Sequence, residues 1–144
     1  MQEKIIDCDS KILGRLASSV AKLLLNGESV VLVNAEKTMI SGHVSSITSN
    51  YKQKQELKDK ANPEHSPYFS RRPDFFVKRV VRGMLPFKKS KGKQALKRLK
   101  VFIGVPEQYK GKEFYSLEVK DNKQVFEKTI TVAELSSRLG YSRR

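Results

Sequence analysis

Residues 3–34 read EKIIDCDSKILGRLASSVAKLLLNGESVVLVN, and the change of period inside this stretch sets the fold class. EKIIDC, residues 3–8, is an apolar run of strand length. From Asp9 the pattern turns helical, with Leu13, Leu16, Ala17, Val20, Leu23 and Leu24 on one broad face. Asp9 or Ser10 is placed to cap this helix and Gly27 to end it. SVVLVN, residues 29–34, is a nearly continuous apolar run and predicts a strand covered on both faces, since a half-exposed strand would alternate. Strand, helix and strand in about thirty residues form a βαβ unit, whose crossover is expected to be right-handed.

The rest of the chain extends this α/β frame. Residues 43–62 keep only Val44, Ile47 and Tyr51 as an apolar line and predict a largely solvated helix. Residues 62–73 hold three prolines and predict a loop. From Asp74 a helical pattern returns, with Phe76, Val77, Val80, Val81, Met84 and Leu85 toward the core and Lys78, Arg79 and Arg82 opposite. Pro86 ends it, because the proline ring cannot continue a helix. Residues 91–100 predict a short helix with Ala95, Leu96 and Leu99 inward, and residues 101–106 a strand stopping at Pro106. Residues 123–130 alternate as a strand. Thr131 and Glu134 stand at the capping-box offset before a last helix that Gly140 ends. A chain of 144 residues without internal repeats is expected to form a single domain, 1–144.

Charge is distributed unevenly along that domain. RGMLPFKKSKGKQALKRLK, residues 82–100, contains no acid. Across 71–100, Arg71, Arg72, Lys78, Arg79, Arg82, Lys88, Lys89, Lys91, Lys93, Lys97, Arg98 and Lys100 face the single acid Asp74, a net +11 of the chain's +14. Solvated faces ordinarily mix both signs, and like charges at i, i+4 destabilise a helix, so the counter-charge for this basic helical segment is expected from outside the chain. Phosphate backbone supplies it: each Lys or Arg on a phosphate releases a condensed counterion, and six to ten such contacts alter affinity roughly 10³- to 10⁵-fold between low and moderate salt. An acidic membrane surface ranks second.

Glycines mark candidate contact points. Gly83 stands inside a helical pattern, where it costs about 1 kcal/mol relative to Ala, so it signals either close approach to a phosphate or base, or tight helix packing. Gly92 reads as flexibility at a helix start, where exposed amides favour anions, and residues 86–94 are expected to be mobile before a partner binds. Ser41 and Gly42 offer a similar amide site at the entry to the preceding helix. There is no helix-turn-helix pair, zinc knuckle or RNP-like aromatic motif. A lysine-rich surface with Tyr68, Phe69 and Tyr109 as exposed aromatics suits the backbone and shape of folded RNA better than duplex DNA.

Other classes lack their residues. The single Cys8 cannot form an internal disulfide, and two histidines without a second thiol leave no zinc set, so no metal or cofactor is expected. Arg15 and Lys22 interrupt the longest apolar stretch, which is too short to span a bilayer. The first residues lack the apolar core of a secretory signal, and a cytosolic location is expected. GKQ at 92–94 is not a phosphate-binding P-loop, and DCDSKILG carries no GxGxxG fingerprint. Asp7 and Asp9 beside Cys8 are explained by a strand end and a helix cap, while His43 and His65 lie apart with no partner motif. Neither catalysis nor a small-molecule substrate is expected.

Several stretches resemble one family. LGRLAS (13–18), VVLVNAEK (30–37) with ISG (40–42), VRGMLP (81–86), GKQALKRLKVF (92–102) and GVP (104–106), in this order, are similar to the ribosomal protein thirteen family of the large subunit in its archaeal and eukaryotic form. The resemblance runs from about residue 5 to 106, and TVAELSSRLGY is similar to the C-terminal end of archaeal members. It implies a three-layer α/β/α domain with a mostly parallel four-stranded sheet and no enzymatic activity. It further implies binding to large-subunit ribosomal RNA beside neighbouring large-subunit ribosomal proteins, and early action in assembly. The matching positions for RNA contact are Ser41 and Gly42, Arg82 and Gly83, and the basic residues of the helix that follows. The rival readings are a free-standing RNA-binding regulator and an RNA-modifying enzyme on the same frame.

Overall fold

The computed structural model describes residues 3–117 and 128–142. The βαβ unit forms where the hydrophobic period changes. β1 spans Glu3–Asp7, α1 Leu13–Leu25 and β2 Ser29–Val33. Leu13, Leu16, Ala17, Val20, Ala21 and Leu24 form the buried stripe of α1, and Val30 to Val33 are all buried, the mark of a strand covered on both faces. Neither Asp9 nor Ser10 caps α1. Its N-cap is Ile12 without a side-chain bond: α1 starts only at Leu13, after a left-handed turn at Ser10 (φ +58°), and the Asp9 carboxylate accepts the Ser10 hydroxyl at 3.2 Å and faces the Lys37 ammonium at 3.8 Å. At the other end Gly27 adopts φ +95° and its amide closes onto the Leu24 carbonyl at 3.2 Å, as a helix stop requires.

Beyond β2 come β3 (Met39–Ser41), α2 (Val44–Glu56), α3 (Pro73–Met84), α4 (Ser90–Lys97), β4 (Leu99–Val101), β5 (Thr129–Thr131) and α5 (Val132–Arg138). Short 3₁₀ turns occupy Ala35–Lys37, Pro63–His65 and Glu107–Tyr109. β2 lies between β1 and β4, both parallel to it, with Ile6 opposite Leu32 and Leu99 opposite Val30. The expected four-stranded sheet is therefore three-stranded among the described residues. β3 pairs antiparallel with β5 in a separate ladder, Ile40 opposite Ile130; an Ile12–Met39 bridge joins it to the segment before α1, and Ile130 packs into the main core. The strand expected at 101–106 lies earlier, at Leu99–Val101. Asn34 adopts a left-handed backbone with φ +55° at the end of β2, so residues beyond Val101 bond to a turning chain: the Phe102 carbonyl receives the Ala35 amide and the Gly104 carbonyl the Asn34 amide. Of the strand expected at 123–130, residues 123–127 lie outside the described residues.

Alternation along the strands divides the core. Ile6, Val30, Leu32 and Leu99 join the stripes of α1, α3, α4 and α5. Ile5, Val31 and Val33 face the other way, where Tyr109 covers them with Phe102 and Val105. Among the described residues this second face is closed by an irregular segment where a further helical layer was expected. Tyr109, expected as an exposed aromatic, is buried there. Thr131 caps α5 by accepting the Glu134 amide at 3.1 Å. The Glu134 carboxylate binds Arg138 at 2.7 Å, one turn on.

The passage from α3 to α4 is set by two deviations from the sequence pattern. α3 stops at Met84, which is 42% exposed although expected inward, while the extended Leu85 is buried as expected. Gly92 is buried, and a Cβ built on it would overlap the Pro86 carbonyl and lie 2.9 Å from the Phe87 nitrogen. Its role is close approach of α4 to the preceding turn, which corrects the reading of Gly92 as a source of looseness. The Lys89 amide reaches the Pro86 carbonyl at 2.9 Å and completes that turn. Gly92→Ala is expected to destabilise the domain by on the order of 1–3 kcal/mol through overpacking against rigid backbone, read as a lowered urea midpoint.

Candidate nucleic-acid interface

α3 follows from its residue pattern: Pro73 opens it, where a missing amide hydrogen is no loss, and Phe76, Val77 and Val81 bury one stripe. Phe76 meets Tyr51 of α2 edge to face, with ring centroids 5.0 Å apart. The opposite side of α3 and the connection from α2 enclose an open groove of about 940 Å³. Arg71, Arg72, Lys78, Arg79 and Arg82 all line it, with Lys58 from the far wall, and no acid is among the lining residues. Tyr68 and Phe75, 81% and 48% exposed, stand in the same groove with Leu57, which is 58% exposed.

Several of these cations are held by aromatic faces. The Arg79 guanidinium lies 4.1 Å from the Phe69 ring centroid and also donates to the Tyr68 carbonyl. Arg72 lies 4.8 Å from Phe75 and binds Asp74 with two nitrogens, at 3.1 and 2.8 Å. Arg82 sits 4.5 Å from Phe87, tying the end of α3 to the turn before α4. A planar guanidinium over a ring retains its charge for an outside ligand while losing rotamer freedom.

The remaining basic positions separate into two groups. Lys88, Lys89, Lys91, Lys93 and Lys97 are exposed on the turn and α4, and none has a carboxylate within ion-pair distance among the described residues. Arg98 and Lys100 have internal partners. Arg98 is half-buried and donates to the Leu24 carbonyl at 2.7 Å, where the exposed carbonyls of the α1 C-terminus attract a cation. Lys100, on β4, pairs with Glu3 of β1 at 2.7 Å. The Lys100 hydrogen bond holds the Glu3 carboxyl below its usual range, and Glu3 in turn raises the Lys100 ammonium.

Gly83 has nothing within 4 Å of the position a Cβ would take. Tight packing within the described chain is therefore not its role. Ser41 is exposed and Gly42 half-buried at the end of β3. The Gly42 amide is already used by the Lys128 carbonyl at 2.7 Å, and neither residue lines the groove. The sequence reading named Tyr68 and Phe69 but passed over Phe75 and Leu57. Phe75 precedes the buried Phe76 and so falls off the apolar stripe, which is the signal that could have found it.

The residues around Cys8 do not form a reactive site. Cys8 is buried, and burial first and Asp7 second push its thiol up to about 12, which leaves negligible thiolate at neutral pH. The Asp7 carboxylate accepts the Asn34 side-chain amide at 2.9 Å and the Asp9 backbone amide at 3.0 Å, so it secures a strand end. Among the described residues no group of His, Cys, Asp and Glu could hold a metal ion, and no helix is long and apolar enough to cross a membrane.

Comparison with known proteins matches this arrangement to one family. The family described as Ribosomal protein L13 matches residues 2–108. The chain is 46% identical over 139 residues to large ribosomal subunit protein uL13 of Archaeoglobus fulgidus, covering 95% of this chain and 87% of that one. Proteins of the same name from Methanococcoides burtonii and Methanocaldococcus jannaschii are 44% and 45% identical over 137 residues, covering 94% of this chain and 96% of theirs.

Two outcomes distinguish the internally engaged cations from the others. Arg98→Ala is expected to lower stability by on the order of 1–3 kcal/mol by leaving the Leu24 carbonyl without its charged donor, checked by urea unfolding. The Glu3 contribution is complete above the ordinary carboxylate range and lost as pH falls through the lowered Glu3 value. Lys100→Gln is expected to flatten this acid-side fade in unfolding midpoints taken between pH 2 and pH 6, on the order of the carboxylate titration range.

Proposed function

This chain belongs to the ribosomal protein L13 family, and from that premise we propose that it is a structural constituent of the large ribosomal subunit, binding ribosomal RNA through phosphate backbone and shape. The family is a component of the ribosome and not an enzyme, which disposes of the RNA-modifying alternative. The observation that carries the reading is the concentration, on α3, α4 and the turn between them, of cations without carboxylate partners among the described residues, held on a buried apolar frame. Phosphate neutralises these groups and releases counterions, whereas a solvent-facing role would leave their mutual repulsion uncompensated.

The RNA contacts we assign are Ser41, Gly42, Arg71, Arg72, Lys78, Arg79, Arg82, Gly83, Lys88, Lys89, Lys91, Lys93 and Lys97. Arg98 and Lys100 belong to the same basic segment, and their internal bonds fix its position. Exposure of the five lysines favours backbone contact, since long flexible ammonium groups act as point charges. Two short helices held against one sheet can grip separate RNA strands, which supports a part in early assembly among neighbouring large-subunit proteins. The corresponding location is the cytoplasmic ribosome.

Changing Lys88, Lys89, Lys91 and Lys93 together to Glu is expected to leave the unfolding transition intact and abolish ribosomal RNA binding at moderate salt; undiminished binding would refute the assignment. Wild-type protein should sediment with large subunits in a sucrose gradient, whereas the free-standing regulator predicts sedimentation away from them. Gly83→Ala is expected to stabilise the free domain by about 0.4–1 kcal/mol yet weaken RNA binding, because the added methyl occupies the approach path.

A further inference from the structure

The groove beside α3 differs chemically from the lysine-covered α4. α4 presents ammonium groups suited to phosphate and little else. The groove combines cations with uncovered apolar surface: Tyr68, Phe75 and Leu57 are all more than two-fifths exposed and line one concavity. Its volume of about 940 Å³ falls within the roughly 300–1,000 Å³ of pockets that enclose ligands of nucleotide size.

We propose that this groove seats unpaired nucleotides of RNA, with bases stacked on Tyr68 and Phe75 and phosphates held by Arg71, Lys78 and Arg82. The assignment rests on the ribosomal RNA reading above and adds the kind of RNA element that this face takes. An A-form duplex hides the faces of its bases and offers only edges, sugars and phosphates, so aromatic stacking requires a splayed single strand, bulge or loop. The platform is already built: Arg79 holds the Tyr68 carbonyl and lies against Phe69, and Arg72 lies against Phe75, which stays 48% exposed. Guanidinium planes beside rings extend the stacking surface for a base. Charge complementarity selects the occupant, because no acid stands in the lining and a polyanion meets no repulsion. An acidic peptide is the competing occupant.

The chain contains no tryptophan, so Tyr68→Trp at this exposed position provides a single reporter. The variant is titrated with a dye-labelled eight-nucleotide oligoadenylate and with a blunt RNA duplex of the same length, following dye anisotropy for binding and tryptophan emission for contact. The expected result is quenching by the single strand with the same midpoint as the anisotropy, and binding of the duplex without quenching. Phe75→Ala should weaken single-strand binding roughly ten-fold, the loss of one stacked base, with an unchanged salt slope because no phosphate contact is removed. The fourfold lysine variant should weaken both RNAs and flatten the slope. Single-strand binding without tryptophan quenching overturns the groove assignment and leaves RNA binding by the chain in place. Absence of binding to either RNA overturns the functional reading and this inference together. Tighter binding of a Glu- and Phe-containing peptide than of oligoadenylate, with a change in Trp emission, overturns it in favour of a protein occupant.

Discussion

Two-sided burial of β2 is the constraint on which the other elements depend. Val30 and Leu32 face the helices while Val31 and Val33 face the segment that carries Tyr109, so β2 must be central and must be covered twice. Its register with β4 places Leu99 opposite Val30. Leu99 follows α4 directly, so this one pairing fixes where the short basic helix ends. The Arg98 guanidinium on the Leu24 carbonyl then joins the same point to the C-terminus of α1. A helix of eight residues, too short to persist in water on its own propensity, is thereby held at both levels, by strand pairing and by a charged cap.

The apolar positions of the basic segment explain how a charge-dense sequence stays folded. Leu85, Ala95 and Leu99 are buried with Val77 and Val81 of α3, and Gly92 brings α4 onto the Pro86 carbonyl. Burying a side chain of Val or Leu size is worth about 1.5–3 kcal/mol, several times the few tenths of a kcal/mol lost per like-charge pair at i, i+4 spacing. Hydrophobic anchoring therefore outweighs repulsion. Arg98 and Lys100, beside and on β4, are matched inside the chain, whereas Lys88, Lys89, Lys91, Lys93 and Lys97 have no carboxylate within ion-pair distance among the described residues.

Legibility followed the range of the interaction concerned. The α1 stripe, the Pro86 stop, the Gly27 closure and the Thr131 cap depend on residues within one or two helical turns, and all four were readable. The cap expected at Asp9 or Ser10 failed because α1 starts only at Leu13, beyond a left-handed turn at Ser10 and the Ile12–Met39 bridge to a segment distant in sequence. Met84, expected inward beside Leu85, is exposed because the helix ends one residue before the pattern does, while the extended Leu85 keeps its core position. Tyr109 looked exposed among polar neighbours, yet the second face of the sheet needed a cover and the chain supplied it from there. The strand expected at 123–130 did not join the parallel sheet among the described residues: its described end, β5, pairs instead with β3, some ninety residues away by the numbering.

Period and composition alone determined a βαβ start, a central strand between two apolar layers, and an acid-poor cationic segment with core-seeking residues threaded through it, because each is a property of neighbours along the chain. Only the tertiary structure decided that Gly92 is a contact rather than a hinge, that Arg98 and Lys100 are bound internally, and that Tyr68 and Phe75 share a groove with five basic residues of 71–82. Those outcomes turn on which backbone atoms and side chains meet across the fold. Spacing in sequence fixes the face a residue occupies on its own helix or strand; what lies opposite that face is set by packing.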